Sequence, residues 1–332
     1  MKTVWCIVSV LAFACSAPVQ DTDVDSGTNT IVSVCTDADP SDRFPSTSVD
    51  NATFVCSDSG CTVTLPDSVP GRQNDRLTAH SDVVITPGNE PFEYIISSSQ
   101  GVHAVNLGIY TALHIGDDGL IWWSLDGTLG GMDPTGQVLQ RCDAPQSLDR
   151  VAAVTRIAQV LWVSGVNEDN RGELWKLTES EWQEQPTSVA VEGFEPYRER
   201  QVIALAYGYA EVHDPAVDEG VQIGGSDDDF SAAAICPDNS YWVGGQTGMY
   251  MYCTSDHQCE RTTEGDYPFQ STSYGCDSDN RLWWFDPGTQ FDSPITIGTV
   301  TREGVRGETS LDDGIRHRRS QAGRTWEVLN GD

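Results

Sequence analysis

Lysine is nearly absent. Of 19 basic residues in 332, two are lysines, Lys2 and Lys176, and they face 50 acids for a formal net charge of -31. A field of that sign repels phosphate, and no basic face is available to neutralise it, which argues against nucleic acid as a partner. The same excess of acids keeps an exported protein soluble. Long apolar runs are missing beyond the N-terminus, so no other segment approaches the length of a bilayer-spanning helix. There is no CxxC pair and no His-x-His, which removes the usual zinc patterns. The acidic stretches around Asp214, Asp218 and Glu219 and at Asp227-Asp228-Asp229 lack the alternation of a calcium loop. No cofactor is expected, and Ca²⁺ has no motif behind it.

What is present begins with an address. Residues 1–14 carry Lys2 and then an apolar run from Val4 to Ala14, the pattern of a signal peptide too short to span a bilayer. The end, Ala12-Phe13-Ala14-Cys15, resembles a bacterial lipobox. That resemblance implies lipidation of Cys15, a polar tether over 15–31 and, with Ser16 after the cysteine, an outer-membrane lipoprotein. The alternative is plain secretion or a periplasmic location, with Cys15 left as a free thiol.

Eight further cysteines, an even count behind an export signal, predict disulfides. Cys253 and Cys259 flank a short loop and are expected to pair; Cys56 and Cys61 could staple another tight turn. Cys236 and Cys276 sit near equivalent positions of a repeat, and their partners stay open along with those of Cys35 and Cys142. Residues 32–79 carry no period and read as a small Cys-containing, β-rich cap, or as a spacer pressed against the periodic region that begins near residue 80.

The repeat is clearest at Ala234 to Cys253, where two apolar runs flank Asp238-Asn239, Gly244-Gly245 closes a Trp-bearing strand, and Met249 to Tyr252 starts another. Asp followed four residues later by Trp recurs at Asp118/Trp122 and Asp279/Trp283, and Trp162 falls on the same spacing. A period of about 40 residues with several strands per unit is the signature of a β-propeller. Units near Tyr94, Trp122, Trp162, Tyr207, Trp242 and Trp283 predict an all-β fold of six blades over 80–332. A strand pair at 314–329 could complete a split blade or count toward a seventh. In the first unit, Gly101 to Val105 matches the segment that starts at Trp242. A large aromatic in a fixed slot is expected to pack between blades. Trp123, next to a framework Trp, must point the other way.

Gly116-Asp117-Asp118-Gly119, the strand through Trp122 and Asp133-Pro134-Thr135-Gly136 together resemble the repeat of virginiamycin-B-lyase-type propellers. Ala234 to Met249 resembles the two-component-regulator propeller repeat, and Gly314 to Trp326 resembles a degenerate Asp-box hairpin with Gln321 in the Asp position. These resemblances share a fold more than an activity. They imply either a binding or scaffold module for a protein or glycan at the cell envelope, or a lyase, hydrolase or lactonase working at the central channel. The enzyme reading rests on His114, on a predicted innermost strand, and on His103 and His213; with six histidines in the chain, each taken alone is expected as a surface or satisfied residue before a base, which makes the binding reading the stronger one. Sialidase activity is not expected, because Arg-Ile-Pro is missing and Arg316, Arg318, Arg319 and Arg324 crowd one hairpin. The expected binding face carries the acidic loops with Asp214, Asp218, Glu219 and Asp227 to Asp229, and His114 at the channel. Oligomeric state is not legible.

Overall fold

A computed structural model describes residues 34–66, 69, 77–108, 112–178, 181–187, 191–198, 200–217, 220–245, 250–262, 274–286, 296–310 and 315–330, with backbone alone at 207–209, 225–229, 285–286, 296, 308–310 and 330. Cys15 and its surroundings, Asp218 and Glu219 lie outside these residues. Every element among them is a strand.

The N-terminal part supplies β1 (Cys35–Asp37), β2 (Ser46–Ser48), β3 (Thr53–Ser57) and β4 (Gly60–Leu65). Antiparallel meanders come next. The first blade is β5 (Thr78–His80), β6 (Val83–Pro87), β7 (Glu93–Ser98) and β8 (Gly101–Asn106); the second is β9 (Ala112–Ile115), β10 (Ile121–Leu125), β11 (Thr128–Met132) and β12 (Val138–Asp143). The third is β13 (Leu148–Ile157), β14 (Val160–Asn167), β15 (Gly172–Thr178) and β16 (Glu181–Gln185). The fourth has three strands, β17 (Val191–Tyr197), β18 (Gln201–His213) and β19 (Val221–Asp229). The fifth is β20 (Ala232–Ile235), β21 (Tyr241–Gly244), β22 (Tyr250–Cys253) and β23 (Cys259–Arg261); the sixth is β24 (Tyr274–Cys276), β25 (Leu282–Asp286), β26 (Thr296–Val300) and β27 (Arg306–Ser310). The last strands, β28 (Ile315–Gln321) and β29 (Arg324–Asn330), do not stand alone. β29 pairs in parallel with β4, from Thr325 opposite Gly60 to Asn330 opposite Leu65, and β3 completes the sheet.

The six repeat units are therefore joined by a seventh blade built from both ends of the chain. Gly60 sits where this closure is tightest: at φ +143, a Cβ there would lie 1.7 Å from the Thr325 carbonyl oxygen. The described strands of the segment 32–79 are spread through the ring. β1 adds to the outer edge of the second blade at β12, β2 adds to the first at β8, and β3–β4 belong to the seventh. Cys61, Val63, Leu65, Trp326 and Val328 of the seventh blade bury against Leu77, Ala79, Val84, Ile95 and Val102 of the first, so no apolar face is left open there.

The recurring tryptophans occupy one slot. Trp122, Trp162, Trp242 and Trp283 all lie on second strands, β10, β14, β21 and β25, and each packs onto the next blade. Trp122 meets Val151 and Val154, Trp162 meets Phe194 and Val202, and Trp242 meets Tyr274 and Leu282. Trp123 and Trp284 face the opposite way, onto the preceding blade, and both are buried. Alternation along a strand dictates this two-sided use, because both faces of a blade are covered. The first blade has no aromatic in the slot: Val83 and Ile85 face the second blade from β6, while Tyr94 lies one strand further out, on β7. The expected match of Gly101 to Val105 with the Trp242 segment is thus displaced outward.

The turns before the slot are equivalent too. Gly119, Asn239 and Asn280 all adopt positive φ, and their amides bond the carbonyls of Gly116, Cys236 and Asp277. Asp118 and Asp238 cap the turn by accepting from the amide two residues on; in the sixth blade Asp277 does this, and Asp279 instead pairs with Arg281 at 3.3 Å. Neighbouring turns interlock, with Asn280 Nδ2 donating to Asp238 and Trp242 Nε1 donating to the Asn280 carbonyl.

Among the described residues four disulfides form. Cys253–Cys259 and Cys56–Cys61 close the two hairpins expected to hold them. Cys236–Cys276 ties the innermost strand regions of the fifth and sixth blades, and Cys35–Cys142 binds β1 to β12.

Candidate functional site

The innermost strands β5, β9, β13, β17, β20, β24 and β28 contact one another in succession around the axis. These strands carry small and apolar residues where they pack, and they place a few polar side chains in the channel. Arg319 on β28 reaches across to Glu195 on β17. Its Nη2 donates to both carboxylate oxygens, at 2.7 and 2.6 Å, and the two side chains are 11% and 9% exposed. Gln321 accepts from Arg319 and donates to Glu195, and the Arg319 guanidinium lies over the Tyr274 ring at 5.8 Å. A buried carboxylate is tolerated only with such a partner.

Two imidazoles border this knot. His114 is on the innermost strand β9, as expected, and its Nδ1 lies 2.8 Å from the Thr155 hydroxyl. Burial pushes its pKa below the ordinary histidine range, against the opposing pull of Glu195. His80, at the end of β5, is pushed down to about 4 by burial and by the charges of His114, Arg319 and Arg324. Both rings are neutral at pH 7. Beside His114 a cavity of about 380 Å³ opens between the first four blades.

The other histidines of the enzyme reading lie elsewhere. His103 is on β8, the fourth strand of its blade, and touches the Gln100 carbonyl. His213 ends β18, buried against Trp162, with its Nε2 2.8 Å from Glu211. Only His114 of the three is on an innermost strand. Asp214 is in the β18–β19 turn, where it accepts from the Ala216 amide and from Gln201. Asp227 to Asp229 are strand residues at the end of β19, paired through Asp228 and Asp229 with Gly208 and Tyr207, and the length of β19 separates them from the Asp214 turn, so the two acidic stretches expected together on one loop face lie at opposite ends of that strand. Among the described residues, the side chains grouped at metal-binding distance are Cys56, Cys61 and Asp82, and those two sulfurs are joined in a disulfide.

Sequence reasoning missed Glu195, Arg319, Gln321 and His80 as a group. Arg319 reads as one of a crowd on a hairpin, yet alternation separates it from its neighbours: Arg318 turns to Glu327 and the Trp283 ring. A charged residue alternating with apolar ones on a first strand, as in Phe194-Glu195, was the available signal.

No family model matches this sequence, and no curated protein matches it. Solved structures do. A streptogramin B lyase is similar with a TM-score of 0.56 at 12% identity, over 88% of this chain and 97% of that one. Virginiamycin B lyase from Staphylococcus aureus is similar at 0.54 and 10%, over 79% and 94%. A chain of the mitotic checkpoint complex reaches 0.52 and 14%, over 95% and 93%. At such identities the likeness is one of architecture, and the architecture they share with this chain is the β-propeller.

Proposed function

We propose that this protein is an exported, lipid-anchored envelope protein whose propeller is a binding module for a protein or glycan, with the binding face at the end of β19 that carries Asp227 to Asp229. One observation carries the binding role: the ionisable groups of the channel engage one another. Glu195 takes both contacts from Arg319, and His114 is tied to Thr155, so the groups that a channel-mouth lyase or hydrolase would need as acid and base serve as a plug. The structural neighbours include both a lyase and a member of a protein assembly, so the fold accommodates either use. The N-terminal pattern ending in Cys15 supports the anchor.

Mass spectrometry of the native protein tests the anchor: a diacylglycerol-modified Cys15 is expected, and an unmodified N-terminus removes it. For the binding face, a glycan array and cross-linking in intact envelopes are run with the wild type and with Asp227→Lys, Asp228→Lys, Asp229→Lys combined. Loss of capture by the folded triple variant is expected; undiminished capture moves the site off this face.

A further inference from the structure

Two of the innermost strands carry one residue too many, and both extra residues line the same cavity. Along β13 the pairing with β14 sets Val151 opposite Gly165 and then Ala153 opposite Ser164, which leaves Ala152 outside the ladder. Along β17 the pairing with β18 sets Val191 opposite Ala206 and then Gly193 opposite Leu205, which leaves Glu192 outside it. Bulges of this kind bend a strand, re-aim a side chain and recur beside functional sites. Ala152 and Glu192 both line the cavity of about 380 Å³ beside His114, a volume in the lower part of the range of small-molecule sites.

The wall of this cavity is made of strand edges. Ile85, Val154 and Phe194 commit their side chains to the cores between blades, at 2%, 1% and 3% exposure. What β5, β9, β13 and β17 offer is the edge on which each pairs with no other strand among the described residues, a row of amides and carbonyls. Thr78 and Tyr94 add hydroxyls, and the exposed Glu192 adds a carboxylate at the rim. His114 adds little, since its Nδ1 is engaged by Thr155. Such a wall suits a ligand that both donates and accepts at many points, which is what a set of hydroxyl groups does. An aliphatic body would leave the edges unpaired, a cation only donates, and an anion meets Glu192 and a chain at -31. We infer that the cavity is a subsite for one neutral sugar residue, with adjacent hydroxyls donating to the Glu192 carboxylate and the others meeting the strand edges. It uses no residue of the Asp227 to Asp229 face, so the variants that test it leave that face intact.

The probes are D-glucose, D-galactose, D-mannose and N-acetyl-D-glucosamine, titrated by ligand-observed NMR, with cyclohexanol as a ring that carries a single hydroxyl. The best of the sugars is expected to bind about tenfold tighter than cyclohexanol. Glu192→Ala should weaken that sugar about tenfold, because hydrogen bonds to an ionised acceptor are the strong ones. Gly193 lines the cavity, and a Cβ there meets nothing closer than a Leu205 methyl at 3.9 Å. Gly193→Leu is therefore expected to fold with an unchanged melting temperature and to lose the sugar by filling its space. Glu192 is exposed, so Glu192→Ala remains a folded test whatever Gly193→Leu does. Four outcomes overturn the proposal: no sugar bound by the folded wild type, cyclohexanol bound as tightly as the best sugar, undiminished sugar binding by Glu192→Ala, or sugar binding that survives in folded Gly193→Leu.

Discussion

Removing one end of the channel ion pair should cost far more than removing both. In Arg319→Met the Glu195 carboxylate, 9% exposed, loses both Nη2 contacts and keeps one weaker donor, Gln321 Nε2 at 3.3 Å. A buried charge left without its partner costs about 3 to 5 kcal/mol. Glu195→Met strands the guanidinium instead. Arg319 still has the Leu77 carbonyl, Gln321 and the Tyr274 ring, so that variant should fall at the lower end of the same range. The double variant carries no charge into the channel, and its desolvation penalty disappears with the attraction; it should lie closer to wild type than either single variant. The resulting coupling energy, about 3 kcal/mol or more, is measured by urea unfolding of the four proteins with disulfides intact. The exposed pair Arg302–Glu260, with side chains 47% and 65% exposed, gives an internal standard expected to couple only weakly, because solvent screens it. Coupling at Arg319–Glu195 no larger than at Arg302–Glu260 would refute the claim that the channel is a desolvated plug.

Trp242→Ala, in a slot that is 0% exposed between the fifth and sixth blades, should lose about 3 to 5 kcal/mol; a variant melting like wild type would contradict the inter-blade role of the repeat aromatic. Serine replacement of Cys35 and Cys142, separated by 107 residues, should destabilise by about 5 kcal/mol on loop entropy, against about 2 for Cys253 and Cys259, separated by 6; calorimetry that inverts this order rejects the loop-entropy ranking. His80, held at about 4 when folded, takes up its proton near pH 6.5 when unfolded, so its contribution is complete above pH 6.5 and is lost as pH falls toward 4. That loss, at most about 3 kcal/mol, should be missing in His80→Gln when stability is tracked by urea unfolding between pH 7 and 4.

The propeller is readable in the sequence because packing repeats. A blade must cover two apolar faces, so the demand for a large side chain on the second strand returns at Trp122, Trp162, Trp242 and Trp283, and the tight turn before three of them returns with it. Where Val83 and Ile85 meet the same demand with aliphatic residues, the pattern has no landmark, and an alignment on aromatics sets the first unit one strand too far out. Strands β1 to β4 are visible as apolar alternations, but their places in three different blades are set by pairings with residues far along the chain. The Glu195–Arg319 contact spans 124 positions and repeats nowhere, so no periodicity announces it. Cys236 and Cys276 form the instructive middle case: equivalent repeat positions suggest proximity, and adjacent blades supply it.

The seventh blade has a consequence for the order in which this chain acquires structure. Its β3–β4 hairpin is synthesised long before β29, the strand that β4 pairs with. Until that strand arrives, β4 has an unpaired edge and the first blade has a bare flank where Trp326 and Val328 belong. Blades two to six can meander locally in the meantime, yet the ring gains its final contacts at a stroke, through the most distant strand pairing among the described residues. The propeller thus behaves as a clasp whose two halves are made at opposite ends of the strip: a chain stopped a dozen residues short would lose the fastening for every blade.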